Sequence, residues 1–300
     1  MICSELEAGL KPEDILYHES LKAHTTFQSG GPCDIFITPE NEEQLTFALE
    51  TLKKAQIPVF VLGRGSNILV GDKGFKGAVI SLKKHFKDVS FNGTEMTCGA
   101  GLMMNEAARA AMLQGLKGFE FASGIPGTIG GGLRMNCGAY GPEFKDIVKE
   151  ARLLLPDLTI RTFTNEELKF SYRNSIVPEL GALVLSVTFS LEEGDPELIR
   201  EKIEEYTRRR RTNQPLEYGS AGSTFKRPPG QYAGAVIEQC GLKGYRKGNA
   251  GVSEKHANFV INYGDATSQE ILDVIRHVQE VVRDKTGLLL ECEVLFIGEF

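Results

Sequence analysis

The chain has 300 residues, with 34 Lys and Arg against 40 Asp and Glu. The resulting net charge of −6 argues against a nucleic-acid coat or a basic membrane-surface protein, both of which need cationic excess. Apolar content of 41% with 25% charged residues fits a folded globular chain and excludes disorder. No apolar run approaches the ~18 residues of a membrane span, and Glu5 and Glu7 interrupt any secretory core at the N-terminus, so no membrane span and a cytoplasmic location are expected.

The first third alternates strands and helices. Asp34–Thr38 is a short β-prone run broken by Pro39. Asn41 is placed to cap a helix running to about Ala55, with Leu45, Leu49 and Leu52 on one face. Val59–Leu62 and Ala78–Leu82 read as strands. Asn92-Gly93 between two β-prone runs reads as a hairpin turn rather than a glycosylation acceptor. Residues 103–114 form a helix ended by Gly115, and residues 147–163 form two strands joined at Pro156-Asp157.

Thr164-Asn165-Glu166-Glu167 has the form of a capping box opening one or two helical turns, and residues 182–191 are another strand. Asp195 and Pro196 open a charged helix to about Arg211, whose basic end suits the helix dipole. A second capping box at Thr267–Glu270 starts a periodic helix ending at Gly287, and Leu288–Ile297 is a closing strand. The class is α+β.

Six cysteines are scattered without C-x-x-C pairs or neighbouring histidines, and His18, His24, His85, His256 and His277 have no triad or ligand spacing. Neither a metal site nor a disulfide framework is expected. Glycine is the unusual residue: 33 in the chain, of which 21 fall within residues 63–77, 118–141 and 219–251. A strand–GRGSN–strand turn at Gly63, Arg64, Gly65, Ser66 and Asn67 can converge backbone N–H groups on a phosphate, though a plain tight turn has the same sequence. Residues 123–141 are poor in charge and dense in glycine, as suits backbone lying against an elongated ligand or an irregular loop packed on its own strands.

GRGSN, SGIPGTIGG (Ser123–Gly131) and MNCGAYG (Met135–Gly141) together resemble the flavin-binding half of the UDP-N-acetylenolpyruvoylglucosamine reductase family. That family belongs to the FAD-binding superfamily typified by vanillyl-alcohol oxidase. The resemblance continues through Tyr172-Arg173-Asn174-Ser175, Ala221–Pro228 and Leu290–Val294, in the expected order over residues 25 to 298. It implies a vanillyl-alcohol-oxidase-type FAD-binding fold of two α+β subdomains, residues 1–85 and 86–193, the second completed by strand 288–298. A substrate-binding domain would occupy residues 194–287.

The implied activity is UDP-N-acetylmuramate dehydrogenase. This is NADPH-dependent, FAD-mediated reduction of UDP-N-acetylglucosamine enolpyruvate for peptidoglycan precursor synthesis, hence for cell wall, shape and division. The enzyme is expected to be monomeric, with FAD held non-covalently. The resemblance makes Ser223 the proton donor, with Arg173 and Glu293 stabilising the enolate. The period of the strand alone does not separate Glu293 from Glu291. Cofactor binding would fall to Gly63–Asn67, to Ser123, Gly124, Ile125, Pro126, Gly127, Thr128, Gly130 and Gly131, and to Asn136, Gly138, Ala139 and Tyr140. Tyr172, Lys226 and Arg227 would meet the UDP-sugar. The short connection after Ser175 resembles the shorter, type II branch, which lacks an inserted tyrosine loop, and Arg227 stands where the longer branch has asparagine. Cys137 and Cys292 depart from the family pattern. Another flavoenzyme of the superfamily, or a flavin binder without catalysis, would share the glycine clusters.

Overall fold

The computed structural model describes residues 2–300. The chain divides into two compact units. Unit 1 holds the N-terminal residues through Leu16, then Ile35–Arg64 and Ala78–Arg210. Unit 2 holds Tyr17–Asp34, Gly65–Gly77 and Arg211–Phe300.

In unit 1 the helix Glu42–Lys54 begins where the sequence places it: the Asn41 side chain accepts from the Gln44 N–H at 2.9 Å, satisfying one of the free donors of the first turn. Its buried face carries Leu45, Ala48 and Leu52, and it leads into strand Val59–Leu62, which pairs in parallel with Ala78–Ser81. The larger sheet of this unit is antiparallel, in the order Ile160–Thr164, Val148–Leu154, Leu183–Ser190, Glu95–Gly99, Val89–Asn92. The Asn92-Gly93 turn is the expected hairpin, with Asn92 opposite Glu95 and Gly93 at φ +59°. Phe119, Phe144 and Phe189 centre the core, Phe189 meeting the other two edge-on at ring-centroid distances of 4.9 and 5.2 Å.

The Thr164 box forms its hydrogen bonds without its helix. Thr164 N–H donates to Glu167 Oε2 at 2.9 Å and Glu167 N–H returns to Thr164 Oγ1 at 3.4 Å, but the segment is a turn. Leu168 is fully buried, and its carbonyl accepts from Ile176 N–H at 2.8 Å. That tertiary bond takes the chain out of a helix too short to nucleate alone. The Thr267 box, by contrast, opens the long helix Ser268–Thr286, which buries Ile271, Leu272, Val274, Ile275, Val278 and Val282 and ends at Gly287 with φ +74°. Both Asp72 carboxylate oxygens also serve its N-terminus, accepting from Ser268 and Gln269 N–H at 2.7 and 2.9 Å.

Unit 2 packs that helix against a sheet ordered Gly219–Ser220, Val260–Asn262, Ala250–Val252, Arg246–Lys247. The closing strand is shorter than its sequence suggests. Only Leu295–Ile297 is β, and it pairs in parallel with Ile68–Val70 instead of completing the sheet of residues 86–193. Residues 288–294 run irregularly, and the backbone groups of Glu291 and Glu293 bond to the loop at 224–226, described below. The helix expected to open the third domain, Pro196–Asn213, lies in unit 1 as far as Arg210. No described helix is long and apolar enough to cross a membrane.

Candidate active site

The glycines of the flavin-like segments separate into two kinds. A Cβ on Gly63 would stand 2.6 Å from Thr128 Oγ1, one on Gly130 3.0 Å from Ala100 Cβ, and one on Gly132 2.8 Å from Met104 Cε. These glycines admit the protein's own side chains. Gly65 lies at φ +69°, where a Cβ would run into the His24 carbonyl oxygen, and its own carbonyl accepts from Thr26 N–H at 3.1 Å. A Cβ on Gly124 or Gly131 would come no closer than 3.5 and 3.4 Å to any atom, so these two leave open the approach a ligand needs.

Thr128 caps the short helix Ile129–Arg134, its Oγ1 accepting from Gly131 N–H at 3.4 Å. The segment is tied to unit 1 by Ile129 and Gly130 N–H groups donating to Leu102 and Ala100 carbonyls, both at 2.9 Å. Ser123 Oγ is buried and has no partner among the described residues. An orphaned hydroxyl in a glycine loop is costly unless a ligand satisfies it, so this part of the chain fits a polar cofactor. Arg210 Nη1 donates to the Gly124 carbonyl, and burial lowers the Arg210 pKa.

Asn136, at 0% exposure, spends its whole side chain on the protein. It donates to Glu143 Oε2 and the Ser171 carbonyl, both at 3.0 Å, and accepts from Lys145 N–H at 2.9 Å. Together with the Ser175 Oγ–Arg134 carbonyl bond of 2.9 Å, this fixes the arginine block beside residues 134–136. Arg173 sits in that block at φ +56°, its guanidinium 5.1 Å from the Tyr172 ring centre. Tyr140 stacks on Tyr206 at 4.3 Å. The Cys137 thiol is buried, which raises its pKa, and it lies 3.6 Å from Met104 Sδ.

Ser223 and Glu293 both belong to unit 2, whereas Arg173 belongs to unit 1. Glu293 N–H donates to the Thr224 carbonyl at 2.8 Å, and Lys226 N–H donates to the Glu291 carbonyl at 2.8 Å, with Phe225 opposite Cys292. Residues 291–293 are therefore a short antiparallel partner of the serine loop. The two glutamates differ in their surroundings: the Glu291 side chain is 72% exposed and pairs with Lys226. Burial raises the Cys292 thiol to about 11, with the Glu291 charge adding to it. The guanidinium of Arg227 lies 4.0 Å from the Tyr232 ring centre. Asn67 Nδ2 donates to the Glu293 carbonyl at 3.1 Å, so the last residue of GRGSN fixes the glutamate segment.

One cluster lies apart from these motifs. Asp14, Glu40 and His85 place ligand-type atoms within 4.8 Å of one another. Lys84 and Lys11 already meet the two carboxylates, at 2.5 and 2.6 Å. Burial would raise the Asp14 pKa, but hydrogen bonds from Lys84, Thr38 and His85 outweigh it and hold the carboxyl below its ordinary value.

A family model described as an FAD binding domain matches residues 33–164, and one described as the C-terminal domain of UDP-N-acetylenolpyruvoylglucosamine reductase matches residues 214–297. The reductase of that name from Caldanaerobacter subterraneus is 45% identical over 299 residues, covering 100% of this chain and 99% of the relative. This chain belongs to the UDP-N-acetylenolpyruvoylglucosamine reductase family. The Clostridioides difficile protein of the same name is 46% identical over 97% of this chain and 95% of its own. The crystal structure of the reductase from Thermus caldophilus superposes with a TM-score of 0.81 at 36% identity, over 94% of this chain and 98% of that one. A berberine-bridge-enzyme-like protein of Physcomitrella patens aligns over 64% of this chain and 44% of its own, with a TM-score of 0.50 at 17% identity. It shares the fold alone. Family membership makes the chain an FAD-dependent oxidoreductase of the vanillyl-alcohol-oxidase-type fold, as its glycine blocks imply.

Proposed function

We propose that the protein reduces the enolpyruvyl group of UDP-N-acetylglucosamine enolpyruvate to the lactyl ether of UDP-N-acetylmuramate, using NADPH, as a cytoplasmic monomer in peptidoglycan precursor synthesis. The observation that carries this reading is 45% identity along the whole chain to a reductase of that name. FAD, when bound, relays a hydride from NADPH to the substrate. Ser123, Gly124 and Gly131 would hold it in unit 1, the buried Ser123 hydroxyl donating to one of its acceptors. The region matched by the FAD-binding family carries the cofactor; Lys226 and Arg227, within residues 214–297, and Tyr172, outside them, are the substrate contacts.

The residues have separate tasks. Hydride addition to one carbon of the enol ether leaves negative charge on its neighbour, spread into the adjoining carboxylate. The fixed charge and forked donors of Arg173 suit that anion. Glu293 shares that task, since a carboxyl in its neutral form would donate a hydrogen bond to the developing anion. Ser223 Oγ then gives its proton to carbon and recovers one from water.

Anaerobic reduction by NADPH followed by substrate addition tests the assignment. Ser223→Ala is expected to keep flavin reduction by NADPH and slow reoxidation by the enolpyruvyl substrate about 10²–10⁴-fold. Near-normal turnover removes Ser223 from the reaction. Reoxidation by simple carbonyl compounds but not by the UDP-sugar points to a different flavoenzyme.

A further inference from the structure

Asn258 holds the serine loop by an arrangement that neither the motif nor the family resemblance assigns. Its side-chain amide forms a closed pair with the backbone of Phe225: Phe225 N–H donates to Asn258 Oδ1 at 3.0 Å, and Asn258 Nδ2 donates to the Phe225 carbonyl at 2.9 Å. Its own carbonyl accepts from Thr224 N–H at 2.8 Å. One residue therefore fixes both peptide groups that follow Ser223.

Thr224 completes the frame. Its Oγ1 accepts from Val260 N–H at 3.1 Å, and its carbonyl accepts from Glu293 N–H at 2.8 Å. Thr224, Phe225 and Asn258 are exposed by 0, 1 and 7%, so these bonds lie out of water, where a broken one is expensive. Gly222, on the other side of Ser223, has φ +72° and nothing within 4 Å of a would-be Cβ. On that side the chain is held up to Ser220, by strand pairing and by Ser220 N–H donating to the Thr26 carbonyl at 3.0 Å, and on the other by the bonds of Thr224 and Phe225. A side-chain amide offers an acceptor and a donor in one plane whatever the pH, matching a peptide group. A carboxylate in its place would face the Phe225 carbonyl with a second acceptor.

We infer that Asn258 is a positioning residue for the proton-donating step, setting where Ser223 Oγ stands by clamping the backbone at residues 224 and 225. The inference rests on the assignment of Ser223 as proton donor. A serine carries its oxygen one bond from Cβ, so a shift of the following peptide moves the hydroxyl with it. A displacement near 1 Å costs about 10²-fold in rate when the reacting geometry is tight.

The test uses the flavin-loaded full chain. Asn258→Ala is expected to leave reduction by NADPH within about twofold and to slow reoxidation by the enolpyruvyl substrate about 10²-fold, with kcat falling far more than KM changes. Asn258→Asp, which keeps the acceptor for Phe225 N–H and loses the donor, should lie between Asn258→Ala and wild type. In a Ser223→Ala background Asn258→Ala should add less than about twofold, because a residue acting through Ser223 has nothing left to position.

Equal slowing of both half-reactions, or full multiplication of the two effects in the double variant, overturns the inference. So does loss of flavin and of cooperative melting in both Asn258 variants, since the residue then carries the fold. A slow Ser223→Ala beside a fast Asn258→Ala sinks this inference alone. A fast Ser223→Ala sinks the proton-donor assignment and this inference with it.

Discussion

Residues 123–138 and residues 222–227 are both loops punctuated by glycine, yet different forces hold them in place. The first is fixed by close packing: Gly130 and Gly132 lie where a Cβ would enter Ala100, Met104 and Phe144, and backbone bonds to Ala100 and Leu102 pin the segment to its neighbours. The second has an open glycine at 222 and owes its shape to a buried amide and hydroxyl bonded to the backbone. Glycine density therefore marks close approach without saying what approaches. In the flavin-like segment much of the approach is by the protein itself, while Gly124 and Gly131 are positions that keep room for a cofactor.

The most severe way to break this contrast is Gly132→Val. Its Cβ would stand 2.8 Å from Met104 Cε and 2.9 Å from the Phe144 ring, so both buried neighbours must shift to admit the branched side chain. Overpacking of this kind should cost about 3 kcal/mol, and flavin would be lost together with the fold. A melting temperature within about 2 °C of wild type would mean that the segment relaxes and that packing does not fix it.

Gly131→Ala sharpens the contrast from the other side. Its nearest atom, Thr128 Oγ1, is 3.4 Å from the new methyl, and the position lies inside a helix. Replacing a helical glycine by alanine should raise the stability of the flavin-free protein by about 0.5–1 kcal/mol. If Gly131 lies against FAD, the same methyl weakens flavin binding, so stability and affinity move in opposite directions. Melting of the flavin-free protein and a fluorescence titration with FAD read the two quantities separately. Unchanged affinity would remove Gly131 from the cofactor site.

Much of this was legible in the sequence, for identifiable reasons. Asn41, Gly93, Gly115, Thr267 and Gly287 act through bonds to residues a few positions away, so their motifs predict their structures. The failures have a tertiary cause. The Thr164 box forms no helix because Ile176 bonds to the Leu168 carbonyl, and the expected strand is interrupted where residues 291–293 pair with the serine loop. Glu291 and Glu293 share a face in any strand, and tertiary partners set them apart: Lys226 for Glu291, Thr224 and Asn67 for Glu293. Asn258 lies 33 positions from the backbone it clamps, and its local sequence, Ser253–Asn258, carried no sign of that role. The orphaned Ser123 hydroxyl was visible in the sequence as a member of the block, but its burial was not.

The smallest expected effect concerns how firmly the second loop is held as pH falls. His256 Nδ1 accepts from Asn258 N–H at 3.2 Å, and the ring packs edge-on against Phe259 at 4.9 Å. Burial lowers the His256 pKa and the Lys243 charge adds to that, while a backbone hydrogen bond and the Glu238 charge act in the opposite direction. The unfolded chain therefore takes up the proton more readily than the folded one. The stabilisation is complete above the unfolded pKa of about 6.5 and is lost as pH falls from there through the folded value. Protonation at Nδ1 also removes the acceptor for Asn258 N–H. Reoxidation by the enolpyruvyl substrate should consequently slow, as pH falls through the lowered folded value, more steeply than reduction by NADPH. His256→Asn, which has no ring nitrogen to protonate, should flatten that acid limb. Identical acid limbs in variant and wild type would show that the clamp on the serine loop is insensitive to its histidine. The two loops would then differ only in how they are packed, not in how they respond to protons.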